Sequence, residues 1–285
     1  MMSFSLTREI SAPDRRKMFK LIASDLDGTL LDSRLEVSDE TVKVLTRAYE
    51  KGVDFVICTG RMYDSLKYIL PKVPFCRYAI TCMGAEIYDN FEKKRIYAQT
   101  MNPEYVRWIV SYGLKHNIHM NIYSDNVLYN NKIDEYTEIY FRETGTRANK
   151  IEGDVLLHVE TLNITKLVYI DEPEKTKVYD RDVREHFGQK INICASSEYY
   201  VEMSAINAQK DITLNLLADR LNIKRDELIV FGDSGNDVAM LKNTGFSVCV
   251  ANGWREAKAA ADIIVESNDN DGVARTVKRL VLDER

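Results

Sequence analysis

No stretch of the chain reaches the roughly 18 consecutive apolar residues that a membrane span requires. No excess of positive charge is present either. Thirty-nine lysines and arginines stand against 44 aspartates and glutamates, for a net charge of −5. That argues against nucleic acid as the main partner, because binding a phosphate backbone draws on clustered lysine and arginine. A small phosphorylated ligand stays open, since it needs only a local positive site. Cysteines are too few and too scattered for a disulfide framework. Cys58, Cys76, Cys82, Cys194 and Cys249 are odd in number and widely spaced, so buried reduced thiols in a cytoplasmic protein are the expectation. Repeats and low-complexity stretches are absent. The first 17 residues lack an apolar signal core, and Glu9 and Asp14 do not suit a transit peptide. We expect residues 1–18 to form a loose N-terminal extension.

What is there is a chain of 285 residues, 45% hydrophobic and 29% charged. That is a soluble globular composition, long enough for one large domain or two of moderate size. "FKLIASD" reads as a buried strand. Ser38 then caps a helix that stops at Gly52. "VDFVIC" is a second strand, followed by "TGR" and a helix to Leu70, and "RYAITC" is a third. Strands alternating with helices predict a parallel sheet with right-handed crossovers, whose ligands bind at the carboxyl edge. After Gly84 the texture changes to hairpins and tyrosine-rich helices: eleven of the sixteen tyrosines fall between Tyr97 and Tyr200. From Lys210 the first texture returns, with "ELIVFGD", "FSVCV" and "DIIV" as strands and "GNDVAMLKNTG" as a helix. The expected organisation is an α/β core from residues 19–85 and 201–285, interrupted by an α+β insert over residues 86–200.

Three expected strand ends carry polar signatures: "DLDGT" (Asp25–Thr29), "CTGR" (Cys58–Arg61) and "GDSGND" (Gly232–Asp237). In a parallel sheet all three meet at one edge. Asp25, Asp27, Asp233 and Asp237 would then surround a hard cation, and oxygen ligands with open positions suit Mg²⁺. Thr59, Lys210 and the amides around Gly28 and Gly60 would grip an anion opposite. A metal, an anion site and a spare carboxylate nucleophile together describe phosphoryl transfer.

This set of motifs, in this order, resembles the haloacid dehalogenase superfamily, and within it the Cof-type sugar-phosphatase branch. The resemblance runs from about Phe19 to the "NDNDGVA" segment near the C-terminus. It implies a Rossmann-like parallel-sheet core with an inserted α+β cap domain. It also implies a Mg²⁺-dependent phosphatase working through an aspartyl-phosphate on a small phosphorylated metabolite, with a sugar phosphate the expected class. On that resemblance Asp25 is the nucleophile and Asp27 the acid/base, its backbone carbonyl also on Mg²⁺. Thr59 bonds the phosphoryl oxygens and Lys210 neutralises them. Gly60, Arg61 and Asn236 face the substrate. Asp233 binds the metal directly, and Asp237 acts through metal-bound water or the lysine. Met83 and Asp211 stand where such proteins usually have asparagine and glycine. The alternatives carried forward are a phosphomutase on the same scaffold and a non-catalytic metabolite-binding module, and a monomer or homodimer is expected. His116 and His119 read as a helix end and a strand residue rather than a metal pair.

Overall fold

The computed structural model describes residues 18–284; apart from Met18, the expected N-terminal extension lies outside the described residues. The first part of the chain runs β1 (Leu21–Ser24), α1 (Asp39–Glu50), β2 (Asp54–Cys58), β3 (Tyr78–Thr81), β4 (Glu86–Asp89) and β5 (Lys94–Ala98). The middle part runs α2 (Pro103–Lys115), β6 (His119–Ser124), β7 (Val127–Asn130), α3 (Glu135–Thr144), β8 (Asn149–Lys150), α4 (Val155–Val159), β9 (Ile164–Ile170), α5 (Pro173–Phe187), β10 (Ile191–Cys194) and β11 (Tyr200–Ala205). The last part runs α6 (Lys210–Arg220), β12 (Leu228–Gly232), α7 (Val238–Asn243), β13 (Phe246–Val250), α8 (Arg255–Ala260), β14 (Ile263–Val265) and α9 (Gly272–Leu280).

Two sheets result. The first has eight strands in the order β14-β13-β12-β1-β2-β3-β4-β5, parallel from β14 to β3. The central parallel strands β12, β1, β2 and β3 are mostly apolar because both faces are covered. Ile22, Ile57 and Phe231 pack with Val44 and Leu45 of α1 and Val273 and Val277 of α9. Leu21, Val56 and Val230 pack on the other side with Leu214 and Leu217 of α6 and Met240 of α7. The second sheet has six strands in the order β10-β11-β9-β6-β7-β8. One of its faces is sealed by Ile109 of α2, Val159 of α4 and Val183 of α5. Its other face turns to the first sheet, where Tyr123, Val168 and Ile170 meet Met62, Cys82 and Ala208.

Three expectations shift. Beyond Arg61 there is no helix to Leu70 but two short 3₁₀ turns, Tyr63–Leu66 and Leu70–Lys72. Pro71 stops any longer helix, and the segment spends polar groups on the second unit: Asp64 N donates to Asn126 Oδ1 at 2.8 Å, and Ser65 Oγ meets Thr146 Oγ1 at 2.7 Å. The hairpin β4–β5, assigned to the insert, extends the first sheet instead. The turn from Thr81 to Glu86 is tight, with Cys82 and Met83 at positive φ, and it folds β4 straight back onto β3. At the far end β11 pairs antiparallel with β9 and β10, so it belongs to the second sheet. We therefore draw the insert at residues 99–205 rather than 86–200.

Candidate active site

Asp25, Thr59 and Asp233 are the residues that directly follow β1, β2 and β12, which lie side by side with β1 in the middle. Lys210 is the first residue of α6. Its buried Nζ donates to Asp25 Oδ1 at 2.6 Å, to Asp237 Oδ1 at 2.7 Å and to Asn236 Oδ1 at 3.3 Å. The other oxygen of Asp237 accepts from the backbone amides of Asp233 and Ser234 at 3.0 and 3.1 Å. Thr29 Oγ1 donates to Asp233 Oδ1 at 2.6 Å. The turn after β1 fits against this group only because Gly28 has no side chain. Its φ is +74°, and a Cβ there would stand 2.6 Å from Asp233 Oδ2.

Asp25, Asp233 and Asp237 each offer a carboxylate oxygen within 4.8 Å of the others. One lysine faces three acids. Burial, with Lys210 offsetting only part of it, pushes the Asp25 carboxyl well above the usual carboxylate range, and Asp237, Asp233 and Asp27 push it further. Burial and the Asp237 charge push Asp233 up to about 7. Burial opposes the charge on Lys210, but Asp237 and Asp25 outweigh it and hold the ammonium. A converging carboxylate set this short of positive charge fits a hard cation held by oxygens.

The other expected residues are placed less uniformly. Asp27 does not turn its carboxylate to the cluster. Both its oxygens accept from Arg61, from Nε at 2.8 Å and Nη2 at 2.5 Å. Thr59 is fully buried, and its Oγ1 accepts from the Arg61 amide at 3.1 Å. Asp25, Asp27, Gly60, Arg61, Asp233 and Asn236 line a cleft of about 640 Å³ between the two sheets. Thr59, Lys210 and Asp237 are buried beside it. Met83 sits at φ +65° with its Sδ 3.7 Å from Asn236 Nδ2. Left-handed backbone is a conformation that asparagine adopts more readily than methionine. Asp211 accepts from Asn243 Nδ2 at 2.7 Å, which ties α6 to α7. His116 ends α2 and His119 opens β6, as read from the sequence.

Sequence reasoning missed the cleft's second wall. Lys166 of β9 is buried, and its Nζ donates to Glu202 Oε2 of β11 and to Gly60 O, both at 2.8 Å. Glu202 Oε1 accepts from the Ser196 amide at 3.1 Å and from the Ser196 hydroxyl at 2.5 Å. Lys166, Glu202, Tyr123 and Tyr140 all line the cleft. A signal was present: "ITKLVYI" and "YVEMSA" each set one charged residue inside an otherwise apolar or small-residue strand, where an unpaired charge would be costly.

The family model described as haloacid dehalogenase-like hydrolase matches residues 22–277. The chain is 29% identical over 275 residues to YxeH of Bacillus subtilis (strain 168), covering 93% of this chain and 99% of that one. It is 28% identical over 264 residues to 5-amino-6-(5-phospho-D-ribitylamino)uracil phosphatase YcsE of the same organism, covering 92% and 96%. The structure of a haloacid dehalogenase-like hydrolase from B. subtilis superposes with a TM-score of 0.84 at 26% identity, covering 92% of this chain and all of that one. A match across nearly the whole chain, on a fold and a carboxylate cluster of this kind, decides the family: the chain belongs to the haloacid dehalogenase-like hydrolases, in their Cof-type branch, and is a phosphomonoesterase.

Proposed function

We propose that the protein is a Mg²⁺-dependent phosphatase of a small phosphorylated metabolite and works through an acyl phosphate on Asp25. One observation carries the reading: a buried lysine bridges Asp25 and Asp237 within a cluster of three carboxylates at the floor of a cleft. Lys210 binds only one oxygen of Asp25. The other oxygen is the nucleophile, and the lysine fixes its direction. Asp25 and Asp233, with the main-chain carbonyl of Asp27, would hold Mg²⁺, with Asp237 beside them acting through metal-bound water or Lys210; the ion would supply charge to offset the acids and the phosphoryl oxygens.

The remaining work falls to side chains. Arg61 and the turn amides at Gly60 receive the phosphoryl oxygens, and Asn236 orients the ester from the other side. Thr59, behind that turn, holds the Arg61 amide in place. Asp27 donates a proton to the departing alcohol oxygen, then takes one from the water that opens the acyl phosphate. For that it must exchange Arg61 for substrate, and a phosphate dianion competes well for a guanidinium.

A sugar phosphate is the class that the sequence resemblance leads us to expect. YcsE, by its name, acts on a phosphoribitylamino-uracil, which sets one precedent for a small phosphorylated substrate. The test is phosphate release from p-nitrophenyl phosphate, with and without Mg²⁺, by the protein and by Asp25→Asn. Turnover is expected only with Mg²⁺ and only with Asp25. A folded Asp25→Asn protein that still turns over would overturn the covalent route.

A further inference from the structure

The cleft extends well beyond the groups that serve the phosphate. At about 640 Å³ it falls within the range, roughly 300–1,000 Å³, of pockets that enclose drug-sized ligands. Its far wall comes from α3, β9, β11 and the segments beside them, and two properties of that wall stand out.

The first is charge. The two cations lining the cleft are already assigned, Arg61 to Asp27 and then to the reacting phosphate, Lys166 to Glu202. Glu135, Glu143 and Glu172 also line it. None of the three has a lysine or arginine partner among residues 18–284. Among the described residues Glu143 Oε2 accepts a tyrosine hydroxyl, from Tyr200 at 3.0 Å. A second phosphate or a carboxylate on the substrate would therefore meet three acids that lack an ion-pair contact, with Lys175 acting on Glu172 only from a distance.

The second is an unspent donor on an aromatic face. Asn130 Nδ2 donates to Asn121 Oδ1 at 2.6 Å, which orients that amide so that Asn121 Nδ2 donates to Tyr123 Oη at 3.4 Å. Tyr123 in turn donates to Tyr140 Oη at 2.8 Å. The chain of bonds ends there. Tyr140 is 8% exposed, lines the cleft, and has no acceptor for its own proton among residues 18–284. Tyr136, Tyr199 and Tyr200 continue the aromatic wall outward.

We infer that the preferred substrate is a phosphate monoester whose alcohol portion carries a basic amine and no second anion. An ammonium pairs with the glutamates and rests against the tyrosine faces. A hydroxyl or ring oxygen nearer the phosphate takes the Tyr140 proton. The inference rests on the phosphatase reading and narrows it. Two forms of amine-bearing ester that suit a cleft of this size are amino sugars and amine-substituted rings, and matched pairs tell them apart.

The test compares kcat/KM for glucosamine 6-phosphate against glucose 6-phosphate, and for pyridoxamine 5′-phosphate against pyridoxine 5′-phosphate. Fructose 1,6-bisphosphate is run beside them. In at least one pair the amine should be favoured by about fivefold or more, the scale of one partly exposed ion pair. The variant E135Q/E143Q/E172Q should bring that ratio to near one. All three positions are exposed, so the fold should tolerate the change, and circular dichroism checks it. No amine preference in either pair, a preference that survives in the triple variant, or a bisphosphate that outcompetes both amines overturns the inference. Failure to release phosphate from any ester, p-nitrophenyl phosphate included, overturns the phosphatase reading and this inference with it.

Discussion

Asp27 is about half exposed and is held by a guanidinium, whereas Asp25 two residues earlier is buried and held by an ammonium. The difference suits a residue that must move between partners beside one that must stay fixed. Asp27→Asn should slow phosphoenzyme formation from an alkyl phosphate by about 10²–10⁴-fold, the usual contribution of general acid–base catalysis. p-Nitrophenyl phosphate, whose leaving group needs no proton, should instead give a rapid burst near one equivalent followed by slow turnover. Equal slowing of both substrates without a burst would remove Asp27 from the acid/base role. Lys166 and Glu202 make a second residue-level test, one of stability. Both are buried, so Lys166→Met alone should cost about 3–5 kcal/mol by stranding a carboxylate, while Lys166→Met with Glu202→Gln should recover most of it. Burial works to raise the Glu202 carboxyl, but Lys166 outweighs it and holds the group below its ordinary 4.5. A lowered folded value means that the stabilisation is present above that ordinary value and is lost as the pH falls through the folded one. Urea midpoints measured from pH 6 downward should therefore drop more steeply for the parent protein than for Glu202→Gln.

At the level of elements, what the sequence reveals depends on how local the cause is. β1, β2 and β12 are short apolar runs ending in aspartate or threonine, and each can be read alone; so can the cap of α1, where Ser38 accepts from the Thr41 amide. The convergence of Asp25, Asp233 and Lys210 was legible because a parallel sheet leaves those ends nowhere else to go. The β4–β5 hairpin was misassigned because its pattern is equally good on either sheet, and only the turn before it decides. That turn can be tested. Gly84 has φ +99°, and a Cβ there would lie 2.4 Å from Gln209 O. An unstrained Gly→Ala replacement stabilises by up to ~1 kcal/mol, but Gly84→Ala should destabilise by more than that amount, and should also weaken activity, because residue 209 directly precedes Lys210. A urea midpoint unchanged from the parent would mean that the contact between the turn and α6 is slack. The second wall of the cleft was not legible for the opposite reason. Lys166 and Glu202 lie 36 residues apart, and nothing short-range says that their strands are neighbours through β9 and β11.

For the molecule as a whole, the two clusters that pack the first sheet contain no residue between 99 and 205, and the cluster under α2, α4 and α5 lies wholly within that range. Only the junction around Met62, Cys82, Tyr123 and Tyr140 mixes the two. Replacing residues 99–205 with a short linker should therefore leave a folded protein by circular dichroism. It should still release phosphate from p-nitrophenyl phosphate, slowly, having lost the wall that excludes water. A truncated chain that unfolds would show that the junction is indispensable. Among the described residues no helix is long and apolar enough to cross a membrane. The division between the sheets also bears on how the protein can change. Every residue assigned to bond-making follows a strand of the first sheet or opens α6, while Tyr136, Ile139, Tyr140 and Tyr199 stand on the other unit. On the proposed function, mutational drift at those four positions would change which alcohol is accepted without touching the nucleophile. A lineage, or a laboratory library confined to them, can therefore explore new substrates while every intermediate remains an active catalyst.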